Sequence, residues 1–366
     1  MSIVIKLGTR YRPLNLSLLK PIDLKPNAKL CIMRLSAIGD VCHAVAMVQG
    51  IQRARPDIQI TWVIGKVEFQ LLQGLDNVSF VVFDKKQGGK ARKALKQQLA
   101  DTHFDVLFMM QVALRANWVS RVINADIRIG FDQERSKELH SLFINHRIQP
   151  RAHCHVLDGF MGFSEAVGIP SSVQWNMPVG EDDKLFARKH TENFERFVVI
   201  CPAASKAERC WQTEKYAAVA DYLTEQGIAV VLCGSPAPLD SSLGEQIVAT
   251  ASLGVTNLIG QTSLKQLAAI LELATFVVAP DTGPAHMATT VGTPVFGLYA
   301  HSNPRRTGPY NDIARVISVY DEVIEEQTGK PCQQLVWGKR AKGENLMDRI
   351  GVEAVIKKIE TELAAG

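Results

Sequence analysis

Phe276-Val-Val-Ala-Pro280-Asp281-Thr282-Gly283-Pro284-Ala-His286-Met-Ala reads as a buried strand that breaks into a glycine turn and then opens a helix. Val277, Val278 and Ala279 suit a strand covered on both faces, and Pro280 ends it. Asp281 or Thr282 can cap the helix, Gly283 permits a tight turn, and Pro284 fits the first helical turn. Such a junction aims free backbone N–H groups and a positive dipole end at one point, where an anion such as a phosphate belongs. An ordinary capped helix of an α/β domain would read the same way. A second junction of the same kind near the N-terminus favours the anion site.

That second junction is Leu30-Cys-Ile-Met-Arg34-Leu35-Ser36-Ala-Ile38-Gly39-Asp40 followed by Val41-Cys-His43. An apolar strand over 30–35 runs into a helix whose positions Val41, Ala44, Val45 and Val48 recur at helical spacing. The turn is neither G-x-G-x-x-G nor a Walker loop, so dinucleotide and P-loop readings lack support. Asp40 falls in the first helical turn, where the macrodipole favours a negative charge. It is either a helix-start carboxylate and no more, or a base able to take a proton from an attacking hydroxyl.

Outward from these junctions, strand and helix signals alternate. Strands are expected over 30–35, 58–64, 78–83, 104–110 and 126–131, with helices near 40–54, 66–73, 89–101, 113–123, 133–144 and 153–168. A linker is expected over 170–180. The second series runs 196–202, 228–234, 255–259, 276–280 and 293–299, with helices near 213–227, 263–274 and 284–291. The alternation predicts an α/β chain with two parallel, helix-covered sheets, one in residues 1–175 and one in 176–366, facing each other across a cleft. Ligands bind outside the carboxyl ends of such strands, and each junction sits at one. Residues 1–28 read as an irregular leader and 300–350 show turns without a clear pattern. The last helix, 352–363, could pack on either half.

The 366 residues suffice for two cores, and no apolar run approaches a membrane span or a signal peptide. Seven scattered cysteines without a C-x-x-C pair indicate reduced thiols in the cytosol. His153-Cys154-His155 is rejected as a metal cluster, because three adjacent residues do not readily converge on one ion. The net charge of +4 hides an asymmetry: residues 1–175 carry 23 Lys and Arg against 14 Asp and Glu, the remainder 18 against 23. The first half therefore suits a polyanion, either an anionic membrane surface or a phosphorylated acceptor. No nucleic-acid module motif is visible. The Lys85-Lys86…Lys90…Arg92-Lys93…Lys96 run reads as a solvated face that could also meet anionic lipid. Trp62, Trp118 and Trp175 read as core or linker packing.

Arg34-Leu-Ser-Ala-Ile-Gly39-Asp40 and Asp281-Thr-Gly-Pro-Ala-His286, in this order and spacing, resemble the ADP-heptose:lipopolysaccharide heptosyltransferases of glycosyltransferase family 9. Arg128-Ile-Gly-Phe-Asp132, Ser136-Lys-Glu138, Gly260-Gln-Thr-Ser-Leu264 and Thr307-Gly-Pro-Tyr310 extend the similarity over most of the chain. The Ser-Ala-Ile-Gly-Asp-Val-Cys-His form looks most like first-heptose enzymes acting on phosphorylated Kdo. The resemblance implies a GT-B fold, an acceptor-binding first half, an ADP-sugar-binding second half and an inverting displacement with ADP leaving. It implies no required metal and no cofactor beyond ADP-heptose as donor. The implied acceptor is Kdo-lipid A at the inner leaflet, met by a cytoplasmic enzyme peripheral at the inner membrane.

By the same resemblance Asp40 is the base. Thr282 and Gly283 would bond the diphosphate with His286 close by, and Asp281 would meet sugar hydroxyls or hold the turn. A further phosphate contact would come from Ala204-Ser205-Lys206-Ala-Glu208-Arg209-Cys-Trp211, through Ser205 and Arg209. Here the family usually has Lys two residues before that Trp; Arg209 keeps the charge and can grip phosphate bidentately. Tyr299-Ala-His-Ser302 also departs from the usual glycine-containing turn. Gln111, Arg115, Arg128, Arg135 and Lys137 are the acceptor-side candidates, each equally readable as a surface charge. The alternatives are a GT-B enzyme using another nucleotide-sugar, an epimerase, or a non-catalytic binder. Asp40 discriminates: a transferase to a hydroxyl needs a base there, and a binder would tolerate Asp40→Asn.

Overall fold

The computed structural model describes residues 20–170 and 172–365; the first nineteen residues of the expected leader lie outside them. The first half begins with β1 (Lys29–Met33), α1 (Ile38–Ala54), β2 (Gln59–Gly65), α2 (Lys66–Leu72) and β3 (Val78–Phe83). It continues through α3 (Gly89–Gln98), β4 (His103–Met109), α4 (Leu114–Ser120), β5 (Asn124–Gly130), β6 (His146–Arg147) and α5 (Val156–Glu165). After the linker come α6 (Glu181–Thr191), β7 (Phe197–Ile200), α7 (Thr213–Glu225), β8 (Ala229–Leu232), α8 (Pro238–Thr250) and β9 (Thr256–Asn257). Then follow α9 (Leu264–Leu273), β10 (Val277–Pro280), α10 (Gly283–Thr290), β11 (Val295–Tyr299) and α11 (Pro304–Thr307). The chain closes with β12 (Ile317–Ser318), α12 (Tyr320–Thr328) and α13 (Val352–Ala365).

All strand pairs are parallel, in two six-stranded sheets ordered β3-β2-β1-β4-β5-β6 and β12-β11-β10-β7-β8-β9. Counted from its own first strand, the second sheet repeats the order of the first. Each therefore reverses its winding at one place, between β1 and β4 (Met33 beside Met109) and between β7 and β10 (Val278 beside Ile200). A crevice opens at the carboxyl end of such a reversal, which is where ligands bind in these sheets. The sequence shows no repeat, yet the topology does, because parallel strands with right-handed crossovers allow few windings.

Residues of β7, β10 and β11 are buried throughout, as their unbroken apolar runs require. Helix α1 is buried continuously from Val41 to Ile51, since it is covered by its sheet, by α5 and by α10 of the other half. A helix that is apolar nearly all round needs such cover. One apolar cluster runs from Leu30, Ile32 and Val45 through Phe160 to Leu267, Val277 and Ala285, so the two halves share a core. The linker lies along α1: Trp175 Nε1 donates to Cys42 O (2.8 Å), and Asn176 exchanges bonds with the Gln49 side chain (2.7 and 2.9 Å). Helix α13 packs on α7 and β12.

Two expectations are corrected. The helix expected over 133–144 is only a short 3-10 turn, His140–Leu142. The Asp132 carboxylate accepts from Arg135 N (3.0 Å) and its carbonyl from Ser136 N (3.0 Å), closing a single turn, and left-handed backbone at Glu138 (φ 50°) and Leu139 (φ 61°) prevents propagation. Trp118, expected to be packed, is 55% exposed.

Candidate active site

The first reversal presents Asp40. From β1 the chain passes through Arg34–Ala37 into α1, and Arg34 holds this passage: it pairs with the Asp40 carboxylate and donates to Met110 O at the end of β4. Trp62 Nε1 donates to Arg34 O (3.1 Å), and the Arg34 guanidinium lies over the Phe160 ring (5.2 Å). From the other side of the reversal, Gln111 accepts from Leu35 N (2.8 Å) and donates to Ser36 Oγ (3.3 Å). Asp40 Oδ2 accepts from Ala37 N (3.2 Å), and the side chain remains 31% exposed. The result is an anchored carboxylate with an open side.

The second reversal presents Asp281 to His286. Thr282 is the N-cap of α10 but its hydroxyl makes no capping bond, so the helix's first N–H groups are left for another acceptor. Asp281 is turned away from that role: Ser302 Oγ donates to its Oδ2 (2.5 Å) from the turn after β11. His286 is buried, with Nε2 4.0 Å from Asp281 Oδ1 and Nδ1 without a partner. Burial holds its imidazole below the ordinary value, while Asp281 and Asp40 pull the other way. Arg209, on the loop after β7, has a buried Nε without a partner. Burial lowers its pKa first, then the Arg340 charge, against Asp281 and Glu208. Arg306, after β11, is likewise lowered by burial and Arg340, with Asp40 and Asp281 opposing. Arg209 and Arg306 thus both feel Asp281, and Arg340 repels both. Ser205 is exposed on the same loop as Arg209.

The two junctions meet. A Cβ on Gly39 would sit 2.3 Å from His286 Cδ2, and one on Gly283 would sit 3.2 Å from Ile38 Cβ, so the two helix starts abut and Gly39 leaves room for the imidazole. Behind them three imidazoles pack edge to face across the halves: His43 to His286 at 4.8 Å and His43 to His155 at 5.2 Å. His155 Nδ1 accepts from Leu157 N (3.1 Å), so its proton is on Nε2, 2.9 Å from Gly308 O, and the ring is neutral. Its pKa is pushed down to about 4, chiefly by burial. Tyr310, against the same ring, donates to Asp158 Oδ1 (2.9 Å).

The remaining candidates separate. The Arg128 guanidinium is spent on Phe143 O, Ile123 O and Ser120 (2.7–3.1 Å), stapling the β5 edge. Arg135 pairs with Asp132 (2.5 Å) and keeps a buried Nη2 without a partner. Arg115, in the first turn of α4, and Lys137, on the loop after β5, are both exposed. His153 stacks on Trp337 (4.7 Å) while His155 turns inward, and among the described residues no three of His, Cys, Asp and Glu converge on a metal position. Sequence reading missed Arg34, Arg306 and Arg340. Arg34 lay inside the quoted motif, and Arg306 four residues before Tyr310; Arg340 carried no local signal.

Two doubly wound parallel sheets with their winding reversals opposed, one presenting a carboxylate and the other a helix start without a side-chain cap, form a GT-B-like α/β architecture. The chain belongs to glycosyltransferase family 9, the heptosyltransferases, matching that family over residues 92–337. It is 44% identical over 341 residues, 93% of this chain and 98% of the relative, to the lipopolysaccharide core heptosyltransferase OpsX of Haemophilus influenzae. Among solved structures it resembles a family 9 glycosyltransferase from Veillonella parvula (TM-score 0.78, 22% identity, 95% and 100% of the two chains). The E. coli heptosyltransferase WaaC with ADP is also similar in fold (TM-score 0.70, 20% identity, 91% and 99% covered). Among the described residues no helix is long and apolar enough to cross a membrane.

Proposed function

We propose that the chain transfers heptose from ADP-heptose to the Kdo of lipid A in inner-core lipopolysaccharide synthesis, with phosphorylated Kdo as the preferred acceptor. The observation that carries this is the abutment of the two helix starts, which brings Asp40 and the α10 N-terminus to one place. The acceptor hydroxyl oxygen attacks the anomeric carbon while Asp40 takes its proton. The bond from that carbon to the ADP oxygen breaks on the opposite face, the electron pair leaves with ADP, and the anomeric configuration inverts. The N–H groups at Thr282 and Gly283, with Arg209 and Arg306, meet the charge that grows on the diphosphate, a task a metal ion performs in other transferases. Ser205 adds a hydroxyl there, His286 supports the sugar end, and Asp281 orients the turn.

In this reading residues 1–175 hold the acceptor through Gln111, Arg115, Arg135 and Lys137, and residues 176–366 hold the donor. Arg128 supports the acceptor side through the backbone it staples. The enzyme works in the cytoplasm, peripherally at the inner membrane, where the excess of cations in the first half suits an acidic acceptor. The test is release of ADP from ADP-heptose with Kdo-lipid A or its phosphorylated form. Acceptor-dependent release, faster with the phosphorylated form, is expected; release without acceptor, or none with either despite ADP binding, would refute the reading.

A further inference from the structure

Beside the acceptor edge, and sharing Arg115 and Lys137 with it, lies an apolar face whose leucines and tryptophan have no part in the proposed transfer. Leu114 and Trp118 stand one turn apart on α4, 38% and 55% exposed, and Leu139 and Leu142 on the neighbouring segment are 63% and 64% exposed. The two stretches are tied into one surface. Leu114 N donates to Glu138 Oε2 (2.5 Å), Asn117 Nδ2 to Glu138 O (3.2 Å), and Asn117 Oδ1 meets His140 Nδ1 (2.8 Å). Trp118 packs edge-on against Phe143 (5.7 Å), and Arg121 lies over the same ring (5.8 Å). Left-handed backbone at Glu138 and Leu139, disfavoured for non-glycine residues, here presents a leucine to solvent. Trp118 is also the one exposed tryptophan of five.

Exposed Arg115, Arg121 and Lys137 ring these side chains, and of the nearby acids Glu138 is engaged with Leu114 N. Lys66, Lys85 and Lys86 follow β2 and β3 at the same carboxyl edge of the sheet. An indole and leucines among cations match the headgroup–acyl boundary of an anionic bilayer, where tryptophan settles and arginine stems lie along apolar surface. A second copy fits worse, because a two-fold contact would set this cationic rim against itself.

We propose that α4 and the 138–142 segment form a docking surface for an anionic lipid bilayer, seated on Leu114, Trp118, Leu139 and Leu142. The proposal rests on the heptosyl-transfer reading only for its purpose: it holds Asp40 at the height of a lipid-borne sugar. The test is co-sedimentation of the full chain with vesicles of phosphatidylethanolamine and phosphatidylglycerol or of phosphatidylcholine alone, with brominated lipid to quench tryptophan. Binding to the anionic vesicles, quenching that Trp118→Phe removes, and at least about ten-fold weaker binding of Leu139→Asn/Leu142→Asn are expected. ADP release with a soluble deacylated acceptor should be unchanged in that double variant. If it does not fold, exposed Arg121→Glu must weaken binding instead. Equal binding by the variants, equal binding to phosphatidylcholine, or a lipid-free dimer that the double variant abolishes would overturn the proposal. Vesicle binding without any heptosyl transfer would refute the proposed function and leave this surface standing.

Discussion

Asp40, Gly39 and His286 meet within one contact although they are some 250 residues apart in sequence, and the site stands or falls with that contact. Gly39→Ala would push a methyl into the His286 ring. Overpacking at such a contact costs about 1–3 kcal/mol, so the variant should melt lower and lose turnover together, read by thermal denaturation and ADP release. Unchanged melting and kinetics would mean that the halves are not in contact there. Arg306 is the residue the sequence concealed: it belongs to no motif and becomes visible only when β11 is placed beside β10. Losing a charge-assisted phosphate contact costs about 2 kcal/mol, roughly 30-fold in Kd. Arg306→Ala and Arg209→Ala should each weaken ADP by about that factor in calorimetric titration, whereas Arg128→Ala should lower stability and leave ADP affinity nearly unchanged.

At the level of elements, the junctions β1–α1 and β10–α10 were legible because their main signals are local, an apolar run, a small turn, an acid or threonine; the bonds from Gln111 and Ser302 that fix them came from distant strands and were not. The 133–144 segment was misread for the converse reason. Its composition suits a helix, but Asp132 closes one turn and the left-handed pair at Glu138 and Leu139 redirects the chain. β12 went unnoticed in 300–350 because two residues carry no periodicity, and α12 because only Tyr320, Val323 and Ile324 of its nine residues face the core. Helix α5 depends on a cap that only the structure reveals. His155 caps it and also donates to Gly308 O of the other half. His155→Ala should remove both interactions and destabilise by about 2 kcal/mol in urea titration. A loss confined to a few tenths would show that the bridge contributes nothing.

Across the whole molecule, the shared core and the histidine stack join the halves, so heating should give a single cooperative transition. Acid should undo it. His155 and His140 are held down to about 4, and His43 lies well below the ordinary 6.5, in each case through burial. The unfolded chain therefore takes up protons before the native one as pH falls. Stability from these groups is fully present above pH 6.5 and is lost progressively towards pH 4, where His140 and His155 protonate in the folded state too. Melting temperature recorded from pH 7.5 to 4.5 should fall below 6.5, and His155→Gln should flatten part of that slope. The two-sheet organisation, with a junction at the strand ends of each facing across a cleft, was legible from alternation; that Gly39 and His286 touch and the halves share a core was not, because it depends on how one sheet packs on the other.

The most direct measurement is ADP release from ADP-heptose with phosphorylated Kdo-lipid A, for wild type and Asp40→Asn, beside the ADP affinity of both. Loss of the proposed base should reduce turnover by about 10²–10⁴-fold with the Kd for ADP unchanged, since Asp40 follows β1 of one sheet and the proposed nucleotide site, the start of α10, follows β10 of the other. Turnover in Asp40→Asn near the wild-type rate, or a matching loss of ADP affinity, would contradict the account.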